Sequence, residues 1–429
     1  MRDALMRRIE SKRDEVVGLT VELVRIPTIN PPGDAYTACA ELVGERLRRR
    51  GYAIEYIRAE GVRGDNARYP RTNVVGRLTG AAGNGPCVHF NSHIDVVETG
   101  SGWSVDPFAG VVKDGKVYGR GTCDMKGGLA ASMIAIEAII EEGIRFPGAF
   151  EISGTVDEES GGYGGVGYLA TKGYFSRPKV DHVIIPEPLN VDRVCIGHRG
   201  VWWSEVETLG RIAHGSMPFL GDSAISHMAA FLHKVETELL PRLHERTTAQ
   251  PVEPKEARRS TLNINGVHGG QPEDRDGYPA PVVAHSCRTV LDRRFLVEEP
   301  LESVKAEVVA LLDDLRRTRK GFDYVIRDVM EFLPTFTPLD APVVKAVADE
   351  IRRVLGREPA FIASPGTYDQ KHISRIGHLQ DCIAYGPGIL DLAHQPDEYV
   401  GIDDMVASAK VMALAGLRLL GVGHLSDQE

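Results

Sequence analysis

Asn91-Ser92-His93-Ile94-Asp95 and, further on, Gly119-Arg120-Gly121-Thr122-Cys123-Asp124-Met125-Lys126-Gly127-Gly128 decide how this chain is read. The first run follows the apolar-rich Cys87-Val88-His89-Phe90, and the second opens a long segment rich in Ala, Ile and Met. The pattern predicts a buried strand leading to His93 and a buried helix over Gly128–Glu142. An imidazole and two carboxylates at strand and loop ends are donors that hard-to-borderline divalent ions favour. Either run alone reads equally well as a core histidine and a helix-capping aspartate, so groups further along the chain decide.

Three such groups follow. A strand over Phe150–Thr155 delivers Asp157-Glu158-Glu159, a strand over Val183–Ile185 delivers Pro186-Glu187-Pro188, and His394 stands near the end. Strands alternating with helices predict an α/β layer architecture, and such sheets bind ligands at the carboxyl ends of their strands. The set His93, Asp124, Glu159, Glu187 and His394 supplies two imidazoles and three carboxylates. Two divalent ions roughly 3.5 Å apart, sharing one carboxylate, would each receive one imidazole and one further carboxylate. Asp124 suits the shared position because it heads a helix between the other ligand-bearing segments. Asp95, two residues beyond His93 on an extended segment, points to the same side and is expected to hydrogen-bond the second ring nitrogen. Glu158 and Glu159 diverge on an extended backbone, so that one ligates while the other accepts a proton from water.

Further out, helices are expected over residues 3–24, Tyr36–Gly51, Pro342–Leu355 and Asp403–Leu420, with strands at Ala53–Ile57, Asn73–Leu78 and Asp381–Tyr385. From Gly200 the order becomes strand (Val201–Thr208), helix (Ser223–Leu240), strands (Ser260–Val267, Val282–Phe295), helix (Leu301–Arg317) and strand (Asp323–Val329). That β-α-β-β-α-β order predicts an inserted α+β domain over 200–332, splitting a catalytic domain into 1–199 and 333–429. Thr247–Arg259 and His268–Pro281 read as lid-like loops, Trp202-Trp203 as packing, and Lys126 as an ion-pair partner near Asp124.

Composition narrows the function classes. A chain of 429 residues with 42% apolar and 26% charged residues is long enough for two domains with ample core. The net charge of -10 argues against a nucleic-acid surface. The sequence has no run of about 18 apolar residues, and Met1–Val16 is charged without a signal-type apolar stretch. Neither membrane attachment nor secretion is expected. Cys39, Cys87, Cys123, Cys195, Cys287 and Cys382 are scattered without C-x-x-C spacing, which predicts reduced thiols in a cytoplasmic protein.

At this point the chain resembles the M20 metallopeptidases, the exopeptidase and deacylase family that contains acetylornithine deacetylase, succinyl-diaminopimelate desuccinylase, aminoacylases and glutamate carboxypeptidase. The matching runs are Ser92–Val97, Gly119–Gly128, Thr155-Val156-Asp157-Glu158-Glu159-Ser160-Gly161-Gly162, Pro186-Glu187-Pro188 and Ala393-His394-Gln395-Pro396-Asp397-Glu398, in family order. The resemblance implies a zinc-exopeptidase-like catalytic domain with an inserted lid and dimerisation domain. It implies metal ligands His93, Asp124 (bridging), Glu159, Glu187 and His394, with Glu158 as base and Asp95 as orienting acid. Two zinc ions are the implied occupants, with cobalt or manganese able to substitute. Glu at position 187, rather than Asp, is the family's pattern in acylases and carboxypeptidases. Gly210–Pro218 resembles the segment whose histidine, here His214, reaches a partner subunit's active site and stabilises the oxyanion. Such a donor contributes about 2.7–4 kcal/mol; the alternative is a surface histidine of the lid. Gly366-Thr367-Tyr368-Asp369 resembles a substrate loop, and Leu291–Phe295 an Asp-x-Arg strand. Arg294 would offer a bidentate fork to a substrate carboxylate, or lie on an exposed strand edge. The family's Asn-Val/Ile-Val/Ile-Pro is replaced by Pro281-Val282-Val283-Ala284, so one substrate contact is missing.

The expected activity is cleavage of an N-acyl amino acid or related small amide by metal-activated water, in a homodimer joined through the lid domain. The alternatives are a dipeptidase or carboxypeptidase of the same family, and a silent binding protein on the same fold.

Overall fold

Strands of three to eight residues assemble the sheet that carries the site. In the computed structural model the described residues are 1–81, 83–270 and 280–422. The chain divides into one unit of Met1–Gly197, Phe336–Ile362 and Tyr368–Glu429, and another of His198–Thr335 and Ala363–Thr367.

In the first unit the sheet order is Ala53–Arg58, Thr72–Thr79, Ala149–Thr155, Cys87–His93, His182–Ile185, Cys382–Ala384 and Arg193–His198. The four strands from Ala149–Thr155 to Cys382–Ala384 are mutually parallel, with antiparallel strands on either side. All four are buried along their whole length, as parallel strands covered on both faces must be. Val88, Phe90, Phe150, Ile152, Ile184 and Ile383 join the core under the larger helices. Val183, Ile185, Cys382 and Ala384 face the other way, toward Val166, Leu169, Phe175 and Ile373.

The helix Gly127–Glu141 is buried from Gly127 to Ile139 and packs against Arg13–Val24 and Ile402–Leu419. At its first turn a Cβ on Gly128 would lie 2.0 Å from the Pro186 carbonyl oxygen. This contact draws the Asp124 turn against the Pro186-Glu187 segment. A separate small sheet pairs Val111–Lys113, Lys116–Tyr118 and Tyr399–Gly401.

The second unit has the strand order Thr261–Gly269, Ser286–Phe295, Gly200–Leu209 and Asp323–Phe332, all antiparallel. In chain order it is β-α-β-β-α-β, with helices at Ala224–Lys234 and Leu301–Thr318. Val304, Val308, Leu311, Leu312 and Leu315 recur at helical spacing and are buried with Trp202, Val206 and Leu291. Trp202 packs in this core and donates to Asp328 at 2.7 Å.

Two expectations change. The helix over 3–24 is two helices, Arg2–Ser11 and Arg13–Val24, and the break falls at Lys12, whose buried ammonium is 2.8 Å from both Glu15 and Glu141. The strand expected from Val282 begins at Ser286. Of the two loops read as lid-like, Thr247–Arg259 is closed by a bridge between its end residues. Residues 271–279 of the other lie outside the described residues.

The close approach at Gly128 gives a stability test. Gly→Ala in a helix interior gains about 1 kcal/mol of propensity, but the obstructing atom is main chain and cannot swing away. Overpacking costs about 1–3 kcal/mol, so Gly128→Ala is expected to lower the urea midpoint. An unchanged or higher midpoint would mean that the helix shifts freely off Pro186.

Candidate metal centre

The parallel strands end side by side and release their ligand-type residues at one edge. His93 is the last residue of its strand and pairs with Thr155 of the neighbour, whose continuation carries Glu158 and Glu159. On the other side, His182–Ile185 ends two residues before Glu187. Asp124 lies in a turn before the Gly127–Glu141 helix, with φ -118° and ψ 98°. It does not head the helix as expected; its backbone is extended there, which frees the carboxylate to face the strand ends.

The Asp124 carboxylate lies between the two histidines. Its Oδ1 is 2.9 Å from His93 Nε2 and its Oδ2 is 3.5 Å from His394 Nε2. His394 Nε2 also lies 3.1 Å from Glu159. His93, Asp124 and Glu159 offer donor atoms all within 4.8 Å of one another. Glu187 is 8% exposed and close enough to feel the charges of Asp124, His93 and Glu158.

The electrostatics are those of a site that wants cations. Burial pushes Glu159 up to about 7, with the nearby Asp124 charge adding to it. Burial, then Asp124, drives Glu187 well above the carboxylate range. Burial works the same way on Asp124, but hydrogen bonds from His394 and His93 hold it below its usual value. Hydrogen bonds to Asp124 and Glu159 raise His394 to about 10. Three carboxylates crowded with two imidazoles fit divalent ions in donor chemistry and in charge.

The surroundings of the cluster differ from three expectations. His93 Nδ1 donates to the main-chain carbonyl of Asp95 at 2.9 Å, while the Asp95 carboxylate stands 3.7 Å away. That carboxylate instead accepts from Asn30 at 2.8 Å and from the main-chain N–H groups of Glu158 and Glu159, each at 3.2 Å. Glu158–Ser160 is a single helical turn, not extended chain, and Asp95 binds its first two N–H groups. The two acids still diverge: Glu159 meets His394, and Glu158 accepts from Lys371 Nζ at 2.7 Å. Lys126 makes no ion pair with Asp124; its buried ammonium donates to the carbonyls of Leu23 and Ile26 at 3.0 and 2.9 Å.

Sequence reasoning assigned no role to Glu398, Arg120, Asn91 or Lys371, and placed Asp369 only within the substrate loop. Glu398 is fully buried; its Oε1 accepts from the N–H groups of Gly121, Cys123 and Asp124 at 3.0, 2.9 and 3.1 Å. Arg120 donates to its other oxygen at 2.6 Å. One carboxylate thus shapes the Asp124 turn. Asn91, two residues before His93, donates to Asp369 at 3.0 Å. A polar residue inside a buried apolar strand was the available signal for Asn91, and adjacency to the His394 run was the signal for Glu398.

His214, Arg294, Gly366 and Thr367 belong to the second unit. His214 is exposed and its Nδ1 accepts from the Ser216 hydroxyl at 2.8 Å. The Arg294 fork is engaged by Asp292 of its own strand, at 2.7 and 3.1 Å. Gly366 N–H donates to Ser364 at 3.1 Å.

A carboxylate between two histidines, at the edge where the parallel strands of an α/β sheet end, is a candidate metal centre. The sequence pattern of Peptidase family M20/M25/M40 matches residues 89–417, and the chain belongs to that family. A succinyl-diaminopimelate desuccinylase of Methylobacterium radiotolerans is 30% identical over 409 residues, covering 91% of this chain and 93% of the relative. Among solved structures, human carnosine dipeptidase 1 superposes with a TM-score of 0.79 at 20% identity, covering 98% of this chain and 99% of that one. The di-peptidase Dug1p of Saccharomyces cerevisiae gives 0.80 at 17% identity, covering 99% of each. Among the described residues, no helix is long and apolar enough to cross a membrane.

Supporting contacts of this kind typically carry 10–100-fold in metal affinity, an order-of-magnitude range. Glu398→Gln keeps shape but loses the charge that three N–H groups and Arg120 address. Competition with a chelator is expected to reveal metal binding weakened by about that range; parental affinity would mean that the turn holds itself.

Proposed function

We propose that this chain is a dinuclear deacylase that removes the acyl group from an N-acyl amino acid. The observation that carries the reading is Asp124, with one carboxylate oxygen toward each of His93 and His394. His93, Asp124, Glu159, Glu187 and His394 would hold two divalent ions, zinc by donor set, with cobalt or manganese as substitutes. When bound, such a pair polarises the amide carbonyl and makes a water acidic enough to attack at neutral pH.

The chain's own residues do the rest. Glu158 takes the proton from the attacking water and passes it to the leaving nitrogen. Asp95 supports this indirectly, by binding the N–H groups of the turn that carries both acids. His214 donates to the developing oxyanion from a partner subunit. Ile212, Met217, Phe219 and Leu220 are exposed on the same segment, Phe219 by 78%. An apolar surface of that kind supports a homodimer formed through the second unit. Gly366 and Thr367 contribute substrate contacts. Arg294 binds a substrate carboxylate in competition with Asp292, which accepts from its Nε and Nη2.

The desuccinylase relative supports an acyl amino acid over a dipeptide, as does glutamate at position 187. Likeness to the dipeptidases lies in fold alone. The absent Asn motif at Pro281–Ala284 leaves the acyl group open, so N-acetyl and N-succinyl substrates are both candidates. Six buried thiols are consistent with a reducing, cytoplasmic setting.

Two experiments test the reading. With zinc, cobalt or manganese added, N-acetyl and N-succinyl amino acids are expected to be cleaved with higher kcat/KM than dipeptides; preference for dipeptides would make it a peptidase. Glu158→Ala is expected to lower kcat by about 10²–10⁴, the usual contribution of general base catalysis, with metal content unchanged. Loss of metal in that variant would mean that Glu158 and Glu159 have been assigned the wrong way round.

A further inference from the structure

A lysine that the family-like motifs do not single out points its ammonium at the acid expected to move the proton. Lys371 lies in the short helix Gln370–Arg375 with its side chain 1% exposed. Its Nζ donates to Glu158 Oε1 at 2.7 Å. Burying an ammonium is costly unless an anion compensates. Here Glu158 and Asp369 keep Lys371 charged against its burial, the largest opposing influence.

The helix is fixed to both ligand-bearing strands. Asp369, two residues earlier, accepts from Asn91 Nδ2 at 3.0 Å, and Asn91 shares its strand with His93. His372, the next residue, donates from Nε2 to the carbonyl of Gly161 at 2.7 Å, just past the turn that carries Glu158 and Glu159. Lys371 is therefore located by hydrogen bonds of its two neighbours, one to the Asn91 side chain and one to the Gly161 carbonyl. The Glu158 side chain has several rotatable bonds and only 12% exposure, and without a partner its carboxylate would have no fixed heading.

We propose that Lys371 is a positioning residue for hydrolysis: by binding Oε1 it fixes the Glu158 rotamer and presents Oε2 to the attacking water. The proposal rests on Glu158 being the base. It differs from a plain buried ion pair in what it predicts for the rate. Misplacing a reacting group by about 1 Å costs on the order of 10²-fold.

The test uses the metal-loaded full-length protein and whichever N-acetyl or N-succinyl amino acid it cleaves. Lys371→Met is expected to lower kcat about 10²-fold while KM and metal content stay near parental values. Lys371→Arg, which keeps a charged donor, is expected to recover much of the rate. In a Glu158→Gln background, Lys371→Met should add no further loss, because its effect runs through Glu158. The proposal is overturned if Lys371→Met keeps parental kcat, acts through KM or metal loss, or adds its full effect to Glu158→Gln. Should Lys371→Met fail to fold, Lys371→Gln and Lys371→Arg carry the comparison, and equal rates in both would overturn it. Full turnover by Glu158→Gln would instead remove the base assignment itself, an outcome read independently of Lys371.

Discussion

A carboxylate held between two imidazoles is the constraint on which the rest of the molecule turns. Asp124 can face both His93 and His394 only because its backbone is extended immediately before a helix. Such a turn leaves main-chain N–H groups without helical partners, and Glu398 accepts three of them. Arg120 neutralises that buried acid from the other side, so the turn is shaped by a compensated charge rather than a bare one. His394 and Glu398 lie four residues apart, and the strand Tyr399–Gly401 follows directly. The segment that supplies one imidazole therefore also anchors the acid which that imidazole faces.

The parallel sheet does the corresponding work for the other side chains of the cluster. Adjacent parallel strands end at the same edge, so His93, the Glu158-Glu159 turn and Glu187 arrive together without long-range coding of each side chain. Burial disfavours the charged forms of Glu159 and Glu187, and the neighbouring Asp124 charge adds to it, so both carboxyls sit above their usual range. The fold tolerates this because hydrophobic cores lie on both faces of the sheet and reach the strand ends, where Ile94, Met125 and Val156 adjoin the site residues. Stability from those cores offsets a site that cations complete.

Much of this was legible in the sequence because the informative residues punctuate regular patterns. Apolar runs ended in acids or imidazoles at His93, Glu159 and Glu187, and the β-α-β-β-α-β order of the second unit followed from alternation and helical spacing alone. Non-local geometry was not legible. Strand alternation aimed the Asp95 side chain at His93, but the strand ends at His93, so the period of two no longer applies and a main-chain carbonyl takes that place. Lys126 looked like a partner for Asp124 by proximity in sequence, yet its ammonium reaches carbonyls of Leu23 and Ile26, about a hundred positions away. The three-residue strands around Val111–Tyr118 and Tyr399–Gly401 were too short to show a period.

The contrast between Lys126 and Lys371 shows why residue type and neighbourhood could not assign these roles. Both ammonium groups are buried near the same cluster of acids. Lys126 donates to neutral carbonyls, and burial lowers its pKa; it fastens the end of the helix Arg13–Val24 to the Asp124 turn. Lys371 is satisfied by carboxylates and stays charged, so it adds a positive potential on the side of the cluster where Glu158 lies. A cation bound covalently to the chain cannot leave as metal ions can. It gives the acid-rich edge a permanent counter-charge, placed against Glu158, the acid proposed as the base.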